Sequence, residues 1–109
     1  MTPTDTRYAA LVRALAETLM SSPGDTPSDL RSAVHARAAG DRAAAVPAYL
    51  DAYVEKVARH AYRVEDGDVE ALKRAGFSED AIFEITLSAA VGAGLTRLRS
   101  GLAALRGTG

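Results

Sequence analysis

The chain has 109 residues, of which 48% are hydrophobic and 25% are charged, and this balance is typical of one small globular domain. Its formal net charge is −1, with both signs interspersed, which argues against a nucleic-acid binder because that class usually carries a basic patch. The chain contains no cysteine, so disulfides, thiolate metal sites and thiol catalysis are excluded.

The first predicted element is an amphipathic helix over residues 5–21. Its apolar residues recur at steps of three and four, which predicts one buried face. That face consists of Tyr8, Leu11, Val12, Leu15 and Leu19. Two prolines and a glycine in residues 21–27 then predict a break.

A second helix is predicted to begin at Thr26 as the N-cap. Pro27 suits the first helical position, and Asp29 is placed to complete a capping box. The helix is expected to run to about Ala39, with Gly40 as its stop.

The third and fourth helices follow after a loop. Pro47 fits the first turn of the third helix, which is predicted to end near Arg63. Either Asp66 or Asp68 is predicted to cap a short fourth helix that Gly76 closes.

The last helix is predicted to be the longest. Ser78 is its expected cap, with Phe77 and Ile82 placed for a hydrophobic staple, and it should extend to about Arg106. No window alternates as a strand would. We therefore predict a single all-α domain of five helices over residues 1–109.

The ends of the chain, residues 1–4 and 107–109, are expected to fray.

Within the last helix, small and apolar residues cover almost the whole circumference of residues 81–95, which predicts burial on most sides. Two glycines in that stretch, Gly92 and Gly94, indicate close helix packing, since glycine weakens a helix by about 1 kcal/mol relative to alanine.

A leucine-rich stripe then continues along the same helix to its end. It consists of Leu87, Val91, Leu95, Leu98, Leu102 and Leu105. A five-helix domain of this size can hardly bury so long a stripe alone, so a homo-oligomer is predicted.

The sequence also bears on location. The N-terminal segment has no basic n-region and no continuous apolar run, so no signal peptide is predicted. The longest weakly charged run, residues 85–98, is short for a bilayer span. We therefore expect a soluble cytoplasmic protein without a membrane partner.

The third helix has three faces when its residues are placed about 100° apart. The predicted core face consists of Val46, Leu50, Val54, Val57 and Ala61. The face opposite to it consists of Asp51, Glu55 and Arg59. A third stripe at the border of the core consists of Tyr49, Tyr53, Lys56 and His60.

This third stripe has two interpretations. Phenols, an ammonium and an imidazole transfer protons where the surroundings shift their pKa values. Tyrosine and lysine at a core border also commonly bury their apolar stems, and a histidine near a helix C-terminus gains from the helix dipole without a catalytic role. The residue types alone favour the structural interpretation. The other histidine, His35, is predicted to be structural.

Residues 72–98, LKRAGFSEDAIFEITLSAAVGAGLTRL, add a resemblance to a known family. Together with the helix that precedes them, they resemble the alkylhydroperoxidase D (AhpD)-like, carboxymuconolactone decarboxylase superfamily over residues 40–105. The resemblance implies an all-α fold whose helices pack into dimers, trimers or hexamers.

The resemblance also carries a site. In the peroxidase branch, two cysteines three residues apart precede a histidine by four residues, and an acid lies about twelve residues upstream. On this chain the histidine position falls on His60, and the cysteine positions fall on Lys56 and Tyr53. The acid position falls on Asp41. Dithiol chemistry is excluded, because the thiolate is the nucleophile in that branch.

The decarboxylase branch works by proton transfer and needs no cysteine. On the resemblance, Lys56 and Tyr53 would hold a carboxylate or enolate oxygen, His60 would be the acid or base, and Asp41 would orient it.

Two functions remain open on the sequence. The first is an oligomeric helical subunit or interaction module without dithiol peroxidase activity. The second is an enzyme that transfers protons on a small carboxylate or lactone, and a site that binds a small acidic ligand without turnover lies between them. No metal-ligand spacing or dinucleotide fingerprint occurs, so no metal or cofactor is predicted. The first function is preferred, because no arginine cluster for an acidic substrate is visible.

Overall fold

Five α-helices make up most of the described part of the chain, and one 3₁₀ turn follows the third of them. The structure, a computed structural model, describes residues 3–107 and contains no strand within that range. The prediction of an all-α fold with five helices and a long C-terminal helix is confirmed. The helices are α1 (Pro3–Ser21), α2 (Ser28–Ala38), α3 (Ala48–His60), α4 (Asp66–Arg74) and α5 (Glu79–Leu105), and the 3₁₀ turn is Ala61–Arg63.

The ends of α1 and α5 lie close to their predicted positions. α1 begins two residues earlier than the prediction, and α5 ends one residue earlier. Of the segments expected to fray, residues 1–2 and 108–109 lie outside the described range.

The start of α2 differs from the prediction by one residue. Pro27 is the N-cap and Ser28 is the first helical residue, so Thr26 is not the cap and Asp29 completes no capping box. The Thr26 hydroxyl donates instead to Glu84 Oε1 on α5, at 2.5 Å. Thr26 therefore bonds to a distant helix and lies one residue before the cap of α2.

Both predicted glycine stops are confirmed. Gly40 has φ of 111° and Gly76 has φ of 106°, and glycine adopts such left-handed values without a steric penalty. The Gly40 N–H donates to Arg37 and the Asp41 N–H donates to Ala36, which together form a Schellman motif.

The predicted N-cap is wrong for α4 and correct for α5. The N-cap of α4 is Glu65, so the prediction of Asp66 or Asp68 is wrong. Asp68 is the third helical residue, and its carboxylate accepts the Glu65 N–H at 2.8 Å, as in a capping box. Ser78 caps α5 as predicted, since its Oγ accepts the Ala81 N–H at 3.0 Å.

The core face of α3 is confirmed over its α-helical part. Leu50, Val54 and Val57 are buried, and Val46 packs against them. Ala61 is exposed instead of buried, because the backbone leaves the α-helix at His60, where φ is −139°. Ala58 is buried in its place.

The central helix is α5, against which the other four α-helices pack. Its buried residues are Ala81, Ile82, Ile85, Ser88, Ala89, Gly92, Ala93 and Leu95. They meet a core contributed mainly by α2 and α3, which includes Val34, Ala38, Leu50, Tyr53, Val54, Val57 and Ala58. The prediction of burial on most sides is confirmed, although Phe83, Ala90 and Gly94 are exposed.

The two glycines of α5 differ in their surroundings. A Cβ on Gly92 would lie 2.2 Å from the carbonyl oxygen of His35, so α2 crosses α5 at this point with no room for a side chain. A Cβ on Gly94 would meet nothing within 4 Å. The prediction of close packing is therefore confirmed for Gly92 and wrong for Gly94 within the single chain.

Glu84 holds the loop that joins α1 to α2. Its carboxylate accepts the backbone N–H groups of Asp25 and Thr26 at 2.8 and 2.9 Å, in addition to the Thr26 hydroxyl. A Cβ on Gly24 would come within 2.6 Å of that carboxylate, so a larger residue there would push the Glu84 side chain away from the loop. Burial raises the pKa of Glu84, but the bonds from Thr26 and Asp25 and the nearby Arg31 charge outweigh it, and the pKa lies below its ordinary value.

Arg31 on α2 holds the same loop from its other end. The side chain is 3% exposed, and its guanidinium donates to the carbonyl of Leu19 at 2.7 Å and to that of Ser22. These carbonyls belong to the end of α1, where no intrahelical donor remains. A buried arginine therefore completes the C-terminus of α1.

The predicted buried face of α1 is not the one that packs. Leu11 and Leu15 are 54% and 63% exposed, whereas Ala16 and Met20 are buried. The prediction is thus wrong for both leucines. Of the other members, Leu19 is half-buried, and the side chains of Tyr8 and Val12 lie outside the described part of the structure.

α5 is also long and apolar enough to cross a membrane by length and composition. The helix is longer than the weakly charged run of residues 85–98, which is short for a bilayer span. The 18-residue window concerned is 44% buried inside the protein.

Candidate functional site

Tyr53 is the buried member of the predicted α3 stripe. Its hydroxyl lies 2.6 Å from Thr86 Oγ1 on α5. Because the Thr86 hydroxyl already donates its single proton to the Ile82 carbonyl at 2.7 Å, Tyr53 is the donor and Thr86 the acceptor. The phenol proton is therefore used in a bond that joins α3 to α5.

Lys56 forms an ion pair with Asp68 between α3 and α4. Its Nζ lies 3.0 and 3.1 Å from the two carboxylate oxygens. The backbone N–H of Glu65 and then Lys56 lower the pKa of Asp68, against a small opposing effect of burial. Sequence reasoning missed this partner, since the pair depends on how α4 packs against α3.

A small cleft of about 200 Å³ lies between α3 and α4 at these residues. Its walls are formed by Tyr49, Ala52, Tyr53, Lys56, Asp68, Ala71 and Leu72. The volume is below the roughly 300–1,000 Å³ typical of ligand pockets. Of the four candidate residues, the structure thus brings Tyr53 and Lys56 together.

The other two candidates, His60 and Asp41, do not line this cleft. His60 is exposed at the last position of α3, and its ring lies edge-on to Tyr62 with 6.2 Å between the centroids. The Asp41 carboxylate accepts the Ala43 N–H at 3.0 Å, which is a local turn bond in the loop after α2. Neither side chain forms a hydrogen bond with the other within the described residues.

A larger cleft of about 650 Å³ lies between α1, α2 and α5, where the sequence indicated no site. Its walls are formed by Arg13, Ala16, Glu17, Met20, Ser21, Ser32, His35, Leu95 and Arg99. These residues come from three helices, and α5 lies far from α1 and α2 in the chain, so no local spacing connects the whole set. Their combination of cations, hydroxyls and an apolar floor is suited to binding rather than to covalent chemistry.

The remaining chemistry of the described residues is limited. Among the side chains that the structure describes, no three from histidine, aspartate or glutamate are grouped so that they could hold a metal ion. Asp51, Glu55 and Arg59 on the far side of α3 line a third, polar cleft of about 240 Å³ with Arg37. Arg37 and Asp51 form an ion pair there at 3.0 Å, and so do Glu55 and Arg59 at 2.5 Å.

Comparison with protein families, curated proteins and solved structures finds no match for this chain. The AhpD-like resemblance and the site residues carried over from it therefore stay predictions.

Proposed function

We propose that the chain is a helical subunit or interaction module that works by assembling with a second copy of itself, without dithiol peroxidase activity. The observation that carries the proposal is the outward face of α5. A helix at the surface of a soluble monomer normally turns charged and polar residues to water. α5 does the opposite between Phe83 and Gly94.

The outward side of α5 is apolar, like its buried side. Residues 85–96 contain no charged side chain, and Glu84, just before them, bonds to the loop between α1 and α2. Outward positions are taken by Phe83, which is 64% exposed, and by Ala90 and Gly94, while Leu87 and Val91 are half-buried. The small residues at Ala90 and Gly94 would let a partner helix approach closely.

Two further observations support a role in assembly. The radius of gyration is 14.8 Å, against about 13 Å for a compact domain of this length, so the single chain is somewhat extended. The members of the superfamily that the sequence resembles also assemble through their helices. A two-fold dimer through α5 would bury the same apolar face on both copies.

The contacts of the α3 stripe also support a module over an enzyme. Tyr53 and Lys56 are both engaged with partners within the chain, Thr86 and Asp68. Proton transfer on a small carboxylate or lactone with His60 and Asp41 remains the alternative prediction.

The test is the mass of the chain in solution, measured by sedimentation equilibrium over about a hundredfold range of concentration. We expect the wild-type chain to exceed its monomer mass of 11.4 kDa and to approach twice that value as the concentration rises. Ala90→Glu places a charge in the middle of the proposed interface, and we expect it to weaken association at least tenfold, because burying an unpaired charge costs several kcal/mol. Ala10→Glu, on the exposed surface of α1, is the matched control and should associate like the wild type.

Other results would count against the proposal. A chain that stays at the monomer mass throughout would refute self-assembly. Association that survives Ala90→Glu but is lost in Leu15→Glu would place the interface on α1 and not on α5.

A further inference from the structure

The cleft between α1, α2 and α5 is the largest of the clefts described above, at about 650 Å³. This volume lies within the range of small-molecule sites. Ala16, Met20 and Leu95 form a buried apolar floor. The floor offers contact area to the apolar body of a ligand.

The rim of the cleft is positively charged. Arg13 from α1 and Arg99 from α5 both line it, and Glu17 is the one acidic residue among its walls. Neither arginine forms an ion pair with a residue in the described part of the chain. A guanidinium presents a planar fork of donors that matches a carboxylate, so this rim favours an anion over a cation.

His35 adds a third donor from α2. Its Nδ1 is buried and has no hydrogen-bond partner among the described residues. Burial, and then the charge of Arg99, lower its pKa, so the imidazole is neutral at pH 7. Because an orphaned buried N–H is rarer than an under-used acceptor, we assign the single proton to Nε2, and the residue itself lines the cleft.

We propose that this cleft binds a small monocarboxylate with an apolar body, such as an aromatic or short aliphatic acid. The carboxylate lies between Arg99, Arg13 and the Nε2–H of His35. The apolar body lies on Met20 and Leu95. This inference does not depend on self-assembly, because the cleft is complete within one chain and its readout is ligand affinity.

The experiment titrates the full chain with benzoate by isothermal calorimetry at pH 7 and repeats the titration with benzamide, which has the same shape without the charge. We expect benzoate to bind with a Kd on the order of 1 mM or tighter, and benzamide to bind at least tenfold more weakly. Arg99→Met should weaken benzoate binding by about tenfold or more, since a charged hydrogen bond is lost. Arg74→Met, which removes an exposed arginine from the end of α4, is the matched control and should bind benzoate like the wild type.

A second measurement covers the case in which Arg99→Met does not fold. Backbone amide shifts of the wild-type chain should move on addition of benzoate at Ser21, Ser32 and His35. Shifts confined to the α3–α4 cleft, equal affinity for benzamide, no binding at millimolar benzoate, or full binding by folded Arg99→Met would each overturn the proposal.

Discussion

Glu84 is the one charged residue in the most apolar stretch of the sequence, and its role cannot be read from its neighbours. The carboxylate bonds to two backbone N–H groups and one hydroxyl of a loop nearly sixty residues away. Charge-assisted bonds of this kind contribute more to stability than neutral ones. We therefore regard Glu84, together with Arg31, as a residue that holds the loop between α1 and α2 in place.

Glu84→Gln should lower the free energy of unfolding by about 1.5–3 kcal/mol at pH 7, because the amide loses the charge and turns an N–H₂ toward donors. Urea denaturation monitored by circular dichroism measures this value. Glu55→Gln removes an equivalent carboxylate from an exposed ion pair with Arg59, and should change the same quantity by less than about 0.5 kcal/mol. If both variants lost the same free energy of unfolding, the bonds of Glu84 to the loop would contribute no more to stability than an exposed ion pair.

At the scale of the helices, the sequence predicted what depends on local chemistry and missed what depends on packing. The glycine stops at Gly40 and Gly76 were predictable because a left-handed position favours glycine wherever it lies in the fold. The role of Thr26 was not predictable, because its N–H and hydroxyl both bond to Glu84 on α5. Periodicity likewise located α1 but not the face that packs, since it does not show where the neighbouring helices lie.

The crossing of α2 over α5 gives a direct test of this packing. Gly92→Ala would place a Cβ 2.2 Å from the His35 carbonyl oxygen, so the two helices must separate. We expect a loss of about 3 kcal/mol in the free energy of unfolding, at the upper end of overpacking costs. Thermal and urea unfolding at the same low protein concentration measure it.

The control lies on the same helix. A Cβ on Gly101 would meet nothing within 4 Å, so Gly101→Ala should stabilise the chain by about 0.5–1 kcal/mol through helix propensity alone. Two alanine variants that shift stability in the same direction would mean that α2 and α5 are not in close contact at Gly92.

For the molecule as a whole, the candidate site shows the limit of sequence reasoning most clearly. Tyr53 and Lys56 could be placed on one face of α3 from their spacing, and they do share a cleft. Their partners Thr86 and Asp68 could not be predicted, because each lies on another helix. The same is true of Arg13, His35 and Arg99, which only the packing of three helices brings to one cleft.

The stability of the whole chain should depend on pH in a way that these contacts determine. A histidine whose folded pKa lies below its unfolded value contributes stability that is lost as the pH falls from about 6.5, and His35 is such a group. Carboxylates with lowered folded pKa values, which include Asp68, Glu79 and Glu84, lose their contributions below their ordinary values near 4. Lys73, whose pKa is raised beside Glu79, loses its contribution only above about 10.5.

We therefore expect the free energy of unfolding to be nearly flat from pH 7 to about 10, to fall in a first step below about 6.5, and to fall more steeply below about 4.5. A single group can contribute at most about 1.4 kcal/mol per pH unit to such a slope. Urea denaturation at constant ionic strength across this range measures the profile.

Because the chain has only two histidines, the first step can be assigned by substitution. His35→Gln should remove that step, since its imidazole is the one held in the cleft between α1, α2 and α5, and His60→Gln at the exposed end of α3 should retain it. A first step that persists in His35→Gln, or that disappears in His60→Gln, would contradict the burial of His35 as the cause.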